Sequence, residues 1–345
     1  MHEITVNTRS ARAQLTGVQR YTLELLARMN DFGTICPTRP IHGMKGHLWE
    51  QTVLPARLSG SLLWSPANSG PLAVTRQVLT IHDMTFFDHP EWMGRKFGQW
   101  YRFLTPRLAS RVQHIITVSE FTKQRILAHC PVASEKVSVV HNGVSATFRP
   151  MDKESIRAVQ LQLQLPSSRY VLALGSVEPR KNVFRLLKAW AEVQSSLPDD
   201  IWLVIAGGKG SKRIFGESAT FELPPRVHVT GHVPDDALPA LYSGALCSAY
   251  VSMYEGFGLP VLEAMASGTP TLTSTTTSLP EVGGEAVLTV DPNSVEGIGR
   301  GLKTLLENAE LRAQLRSCGI ERSAQFSWDR AAKATWDILM KEARR

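Results

Sequence analysis

At 345 residues, 43% of them hydrophobic, the chain has too much core-forming material for one ordinary core, so two domains of roughly 150 to 200 residues are expected. Cys36, Cys130, Cys247 and Cys318 lack the paired spacing of a zinc site or a disulfide framework, and no leader or 18-residue apolar run is visible, which together point to a cytoplasmic protein that spans no membrane. The net charge of +7 is wholly N-terminal: 17 Lys and Arg oppose 9 Asp and Glu in residues 1–150, against 21 and 22 in the remainder, so an anionic partner (nucleic acid, phospholipid headgroups or a phosphorylated substrate) belongs to that half.

In chain order, the N-terminal half reads as short β-branched strands at 2–7, 62–67, 77–83, 114–119 and 137–143, with a strongly amphipathic helix at 18–29. Residues 144–155 lose the pattern and read as a linker. From residue 169 onward strands at 169–177, 200–208, 226–233, 246–253, 269–274 and 286–292 alternate with helical patterns such as 182–194, 235–245 and 260–266. This alternation specifies βα units, parallel sheets and an α/β class with two doubly wound domains. Ligands of such sheets bind at the carboxyl ends of the strands, where loops meet helix N-termini.

One such point carries "YEGFGLPVLEAMASGTP", residues 254–270. Gly256 and Gly258 allow a tight loop, Pro260 suits the first turn of a helix, and the free N–H groups at that start favour a phosphate. Glu255 on the loop and Glu263 near the first turn would repel a phosphate unless each accepts from neutral hydroxyls, which sugars supply. A sugar, a phosphate and another sugar make a nucleotide sugar. The plainer alternative leaves Glu255 solvated and Glu263 complementing the helix dipole. A second strand-to-helix turn, "ALGSVEPRKN", sets Arg180 and Lys181 side by side as a diphosphate clamp or as two surface cations.

In order and spacing, "EPRKN", "LVIAGG", "VTGHV" and "EGFGLPVLEAMASGTP" resemble the family-4 retaining glycosyltransferases of the GT-B fold, as do "TGVQRYTLELL", "TIHD", "ITVSEFTKQRI", "VVHNGV" and the closing "FSWDRAA". The resemblance implies two Rossmann-like domains facing a cleft: an acceptor-side domain at 1–148, a nucleotide-sugar domain at 149–327, and a last helix at 328–345 that crosses back. It further implies that Glu255 accepts from the transferred sugar, that the backbone of Phe257, Gly258 and Leu259 meets sugar and phosphate, that Glu263 holds the ribose, and that Lys181 meets the diphosphate. Ser176 stands where many members carry an arginine, a charge that Arg180 would replace. Gly17 matches a glycine turn near the phosphates and also reads as an ordinary helix start. His82 matches a histidine that reaches the transferred sugar and also reads as structural, with Asp83 orienting its ring or capping a turn.

The implied chemistry is front-face retention, with no cofactor and no metal, the nucleotide sugar being the substrate. "LTGVQRY", "GHLWEQ" and "TIHD" look like mannosyltransferases of polysaccharide assembly, which makes mannose from GDP-mannose the first choice of donor, with rhamnose, glucose and galactose open, and a glycan or lipid-diphosphate-linked acceptor. A two-lobed nucleotide-sugar epimerase is the alternative enzyme. A dehydrogenase lacks its G-x-G-x-x-G after a first strand. Nucleic-acid binding has only the pI of 9.3 behind it and is not expected. Residues 92–113 carry five cations and no acid, interleaved with aromatics, and read either as a domain helix or as a dock for an anionic membrane surface.

Overall fold

The computed structural model describes residues 2–12 (the Arg12 side chain excepted), 16–41, 43–175, 178–207 and 222–345. The expected position of the missing arginine, Ser176, lies outside them. The chain divides into two compact units, residues 1–143 with 326–345, and residues 144–325.

The first unit is built on a six-stranded parallel sheet of order β2-β1-β3-β4-β5-β6, comprising β1 (Ile4–Asn7), β2 (Gly33–Ile35), β3 (Leu62–Ser65), β4 (Gln77–Ile81), β5 (His114–Thr117) and β6 (Val137–Val139). Its helices are α1 (Gly17–Leu26), α2 (Gly43–Arg57), the short α3 (Thr85–Asp88), α4 (Arg95–Arg111) and α5 (Glu120–His129). β3, β4 and β5 are buried at every position, as central parallel strands covered on both faces must be. α5 starts where Ser119 accepts from the Thr122 backbone N–H at 3.1 Å, the capping signal inside "ITVSEFTKQRI". The helix Trp328–Ala343 belongs to this unit: Trp328 meets Tyr21 of α1 edge-on at 6.3 Å between ring centroids, and Asp329 pairs with Arg28 at 2.7 Å. Residue 143 must be glycine there, because a Cβ would run into the backbone of Ser327 and Trp328.

The second sheet has the order β12-β11-β10-β7-β8-β9, from β7 (Arg169–Leu174), β8 (Ile201–Ala206), β9 (Val227–Gly231), β10 (Cys247–Tyr250), β11 (Thr271–Ser274) and β12 (Leu288–Val290), again all parallel. Alternate residues serve opposite faces. Val171, Ala173, Leu203 and Ile205 pack with Leu186, Leu187 and Trp190 of α7 (Val183–Val193) and with Ile298 and Leu302 of the helix Val295–Glu307. Tyr170, Leu172 and Val204 face the other way, onto Leu238, Leu241 and Tyr242 of the helix Leu238–Ser243 and Ala264 of the helix Leu259–Ala266.

Residues 144–148 correct the expected boundary and linker. Phe148, 6% exposed, enters the core of the second unit with Val144 against it, and the chain is helical again from Lys153, where Asp152 caps α6 (Lys153–Gln162). Apolar residues too few to show periodicity hid that packing.

Candidate active site

At the carboxyl end of β7 the chain makes a 3-10 turn, Pro179–Lys181, and then enters α7 through Asn182, whose φ of 60° is left-handed. Asn182 is 3% exposed, and its Nδ2 donates to Val251 O at 3.0 Å and to Pro292 O at 2.7 Å, while Met253 N donates to Arg180 O at 2.7 Å. These bonds fasten the turn bearing Arg180 and Lys181 to the end of β10.

Beyond β10 comes the loop with Glu255, and Gly258 then starts the helix Leu259–Ala266 with a φ of 107°. That value favours glycine, and a Cβ would lie 2.6 Å from Leu279 Cδ2. Ser278 Oγ reaches the carbonyls of Glu255 and Phe257, at 2.9 and 2.8 Å, fixing the loop from behind. Gly258 at the N-cap and Leu259 at the first helical position open the helix on this loop, directly after Phe257.

The side chains converge on Glu255, which is 8% exposed. Lys181 Nζ donates to its Oε1 at 2.7 Å, Tyr250 OH donates to the same oxygen at 2.8 Å, and Arg180 Nη1 lies 3.3 Å from both oxygens. Lys181 also donates to the Tyr250 hydroxyl, and Arg180 Nε donates to Glu178 at 2.8 Å. Burial alone would raise the Glu255 carboxyl, but the charges of Lys181 and Arg180 and the Lys181 and Tyr250 hydrogen bonds outweigh it and hold it below the usual carboxylate range. Burial, reinforced by the Glu255 charge, pushes the Tyr250 phenol well up, so it stays protonated and donates. The sugar carboxylate and the phosphate cations, assigned separate tasks above, form one ionic cluster.

Glu263 directly follows the first turn of its helix, near where it was expected; it is 6% exposed, with Tyr242 OH 3.5 Å from Oε2. Tyr250, Asn182 and Ser278 were missed. Tyr250 stands in a strand whose burial pattern is unbroken, so nothing marks it as polar, and the partners of Asn182 lie 69 and 110 positions away.

In the first unit His82 follows β4 and is 7% exposed. Its Nε2 lies 2.7 Å from Pro66 O and its backbone N donates to Asn68 Oδ1 at 2.6 Å. A carbonyl only accepts, so the proton is assigned to Nε2, leaving Nδ1 as an acceptor. Burial, opposed by the Pro66 carbonyl and the Asp83 charge, lowers the His82 pKa and favours the neutral ring. Asp83 caps a turn, accepting from Thr85 N at 3.0 Å. Gly17 is the exposed first residue of α1, behind a capping box of Thr16 and Gln19. His82 and Gly17 thus lie on one unit and the Glu255 cluster on the other.

Residues 159–322 match the glycosyl transferases group 1 family and residues 56–148 match Glycosyltransferase Family 4. The chain is 31% identical to O-antigen chain mannosyltransferase B of Escherichia coli over 77% of this chain and 70% of that one. To the serotype-specific mannosyltransferase WbdA of Escherichia coli it is 32% identical over 64% of its length, but it spans only 28% of that larger protein. Among solved structures, Anabaena Alr3699/HepE in complex with UDP and glucose superposes over 99% of this chain and 100% of that chain, with a TM-score of 0.75 at 16% identity. WaaG, a glycosyltransferase involved in lipopolysaccharide biosynthesis, does so over 97% and 99%, with a TM-score of 0.74 at 15% identity.

The class so defined is that of the hexosyltransferases with the two-domain GT-B fold. The chain belongs to glycosyltransferase family 4 and is mannosyltransferase-like in sequence.

Proposed function

We propose that the protein is a retaining mannosyltransferase that moves mannose from GDP-mannose to a lipid-linked glycan in the assembly of a bacterial surface polysaccharide, working against the inner face of the cell membrane. The observation that carries this reading is the cluster of Lys181, Arg180 and Tyr250 around Glu255, beside the start of the helix Leu259–Ala266. Mannose and the polysaccharide are supported by the names of the related O-antigen mannosyltransferases.

When the bond from the anomeric carbon to the diphosphate breaks, its electron pair stays on the phosphate oxygen, and positive charge grows on the sugar ring. Lys181, Arg180 and the helix N–H groups stabilise the first charge, and Glu255 the second. A carboxylate already shared by two cations and a phenol is a weak nucleophile and a weak base. This favours attack by the acceptor hydroxyl on the leaving group's own face: its oxygen bonds to the anomeric carbon and its proton passes to the departing diphosphate. Neutral His82 accepts through Nδ1 from a hydroxyl of the transferred sugar, and Glu263 accepts from the ribose.

The test is ligand-induced thermal stabilisation of the purified protein by guanosine, uridine and deoxythymidine diphosphate sugars. A ligand at about one hundred times its Kd adds about 2.7 kcal/mol. GDP-mannose should give the largest shift; a uridine or deoxythymidine sugar doing so overturns the donor assignment. Conversion of the donor sugar without any acceptor would favour an epimerase.

A further inference from the structure

Helix α2 carries a buried carboxylate that the reaction above does not use. Glu50 is 2% exposed and accepts from Asn7 Nδ2 and from Ser69 Oγ, each at 2.8 Å. Arg9 Nε lies 3.0 Å and His47 Nδ1 3.4 Å from its oxygens. Taking this charge from water is costly, and an apolar residue would avoid it, so fold stability is a poor reason for its presence. The next residue, Gln51, donates from Nε2 to Gly70 O at 2.8 Å and accepts from Leu72 N at 3.0 Å. Glu50 and Gln51 therefore grip the middle of the loop that joins β3 to β4.

The near end of that loop holds His82. Pro66 O takes the ring Nε2 at 2.7 Å and Asn68 Oδ1 takes the backbone N–H at 2.6 Å. Asn68 is itself left-handed, with a φ of 58°, and its N–H donates to Thr80 O at 2.9 Å. Five consecutive residues, 66–70, thus run from the imidazole to the two side chains of α2, and every contact lies within the first unit.

We propose that Glu50 and Gln51 are positioning residues for His82, acting through the 66–70 loop to keep its proton on Nε2 and Nδ1 turned to the sugar as an acceptor. This rests on the reading of His82 as a partner of the transferred sugar. The tautomer follows from the Pro66 carbonyl, which selects Nε2–H only while it stays at hydrogen-bond distance. A loop released from α2 leaves the ring free to carry its proton on either nitrogen.

The experiment uses the full-length protein with nitrogen-15-labelled histidine, the His82 signals being assigned by their loss in His82→Ala. Wild type should show a single Nε2–H tautomer, and Gln51→Ala should show a mixture of the two. In transfer assays Gln51→Ala should lower kcat about tenfold while leaving KM for the donor within about threefold, and in the His82→Ala background it should cost no more than about twofold further. Glu50→Gln, which keeps the shape of the side chain, should act in the same direction. A wild-type Nδ1–H ring, unchanged ring signals in both folded variants, or losses that multiply in the folded double variant each overturn the proposal. Absence of transfer by wild type would instead sink the functional reading, with the ring signals still deciding the role of the loop.

Discussion

Lys181 pairs with Glu255 in the resting protein, and in the proposed mechanism it also faces the leaving diphosphate. Lys181→Ala leaves Glu255 with Arg180 and Tyr250, so the protein should stay folded by thermal unfolding while turnover falls about a hundredfold, near 2.7 kcal/mol of barrier. Full activity in a folded Lys181→Ala variant would remove the lysine from the mechanism. As chemical types in a plausible place, Arg180, Lys181 and Glu255 were all legible in the sequence. Their mutual pairing was not, because 74 positions separate Lys181 from Glu255 and only the order of β7 next to β10 brings them together. Glu50 offers a separate test in the first unit. Burial would raise its carboxyl, but His47, Arg9 and Asn7 hold it at about 2, against an ordinary 4.5. A folded pKa below the unfolded one adds stability above the unfolded value, and that stability is lost as pH falls toward the folded value. The stability of wild type relative to Glu50→Gln should therefore fall, by up to about 3 kcal/mol, as pH drops from 4.5 to about 2. A relative stability that stays constant with pH would mean that Glu50 is not held as an anion.

Among the elements, α4 shows that residues 95–111 are a domain helix, and its docking on a membrane stays a proposal. Tyr101, Leu104, Thr105, Leu108 and Ala109 form its buried face, so part of the aromatic content is core. Exposed along the helix are Arg95, Lys96, Arg102, Arg107 and Arg111 together with Phe103 at 48% and Phe97 at 40%, the last also packing on Tyr101. Arg107 lies over the Phe103 ring at 3.9 Å. Cations near an anionic bilayer contribute roughly 1 kcal/mol each, which supports reversible docking of this helix. Replacing Arg95, Lys96 and Arg102 with Glu should abolish sedimentation with phosphatidylglycerol vesicles and spare transfer to a short soluble acceptor; vesicle binding as in wild type would make α4 ordinary surface. All the described strands but β2 announced themselves as apolar or β-branched runs. β2, the three residues Gly33–Ile35 at the edge of its sheet, did not, because it opens on a glycine, is nowhere fully buried and takes its structure from pairing with β1.

Over the whole chain, two parallel sheets of six strands were legible as an alternation of βα units, since both faces of each sheet demand apolar residues. The boundary was less so, because Val144 and Phe148 join the second core without a periodic segment around them. If the two cations and the helix start hold the leaving group as proposed, transfer should survive excess chelator; loss of activity that magnesium or manganese restores would contradict that assignment. The central claim is that the hexose is transferred with its anomeric configuration kept. Its most direct test is nuclear magnetic resonance of the product made by the purified protein from GDP-mannose, an α-linked donor, and a defined acceptor. The account predicts an α-mannoside; a β-mannoside, or no acceptor-dependent product, would contradict it.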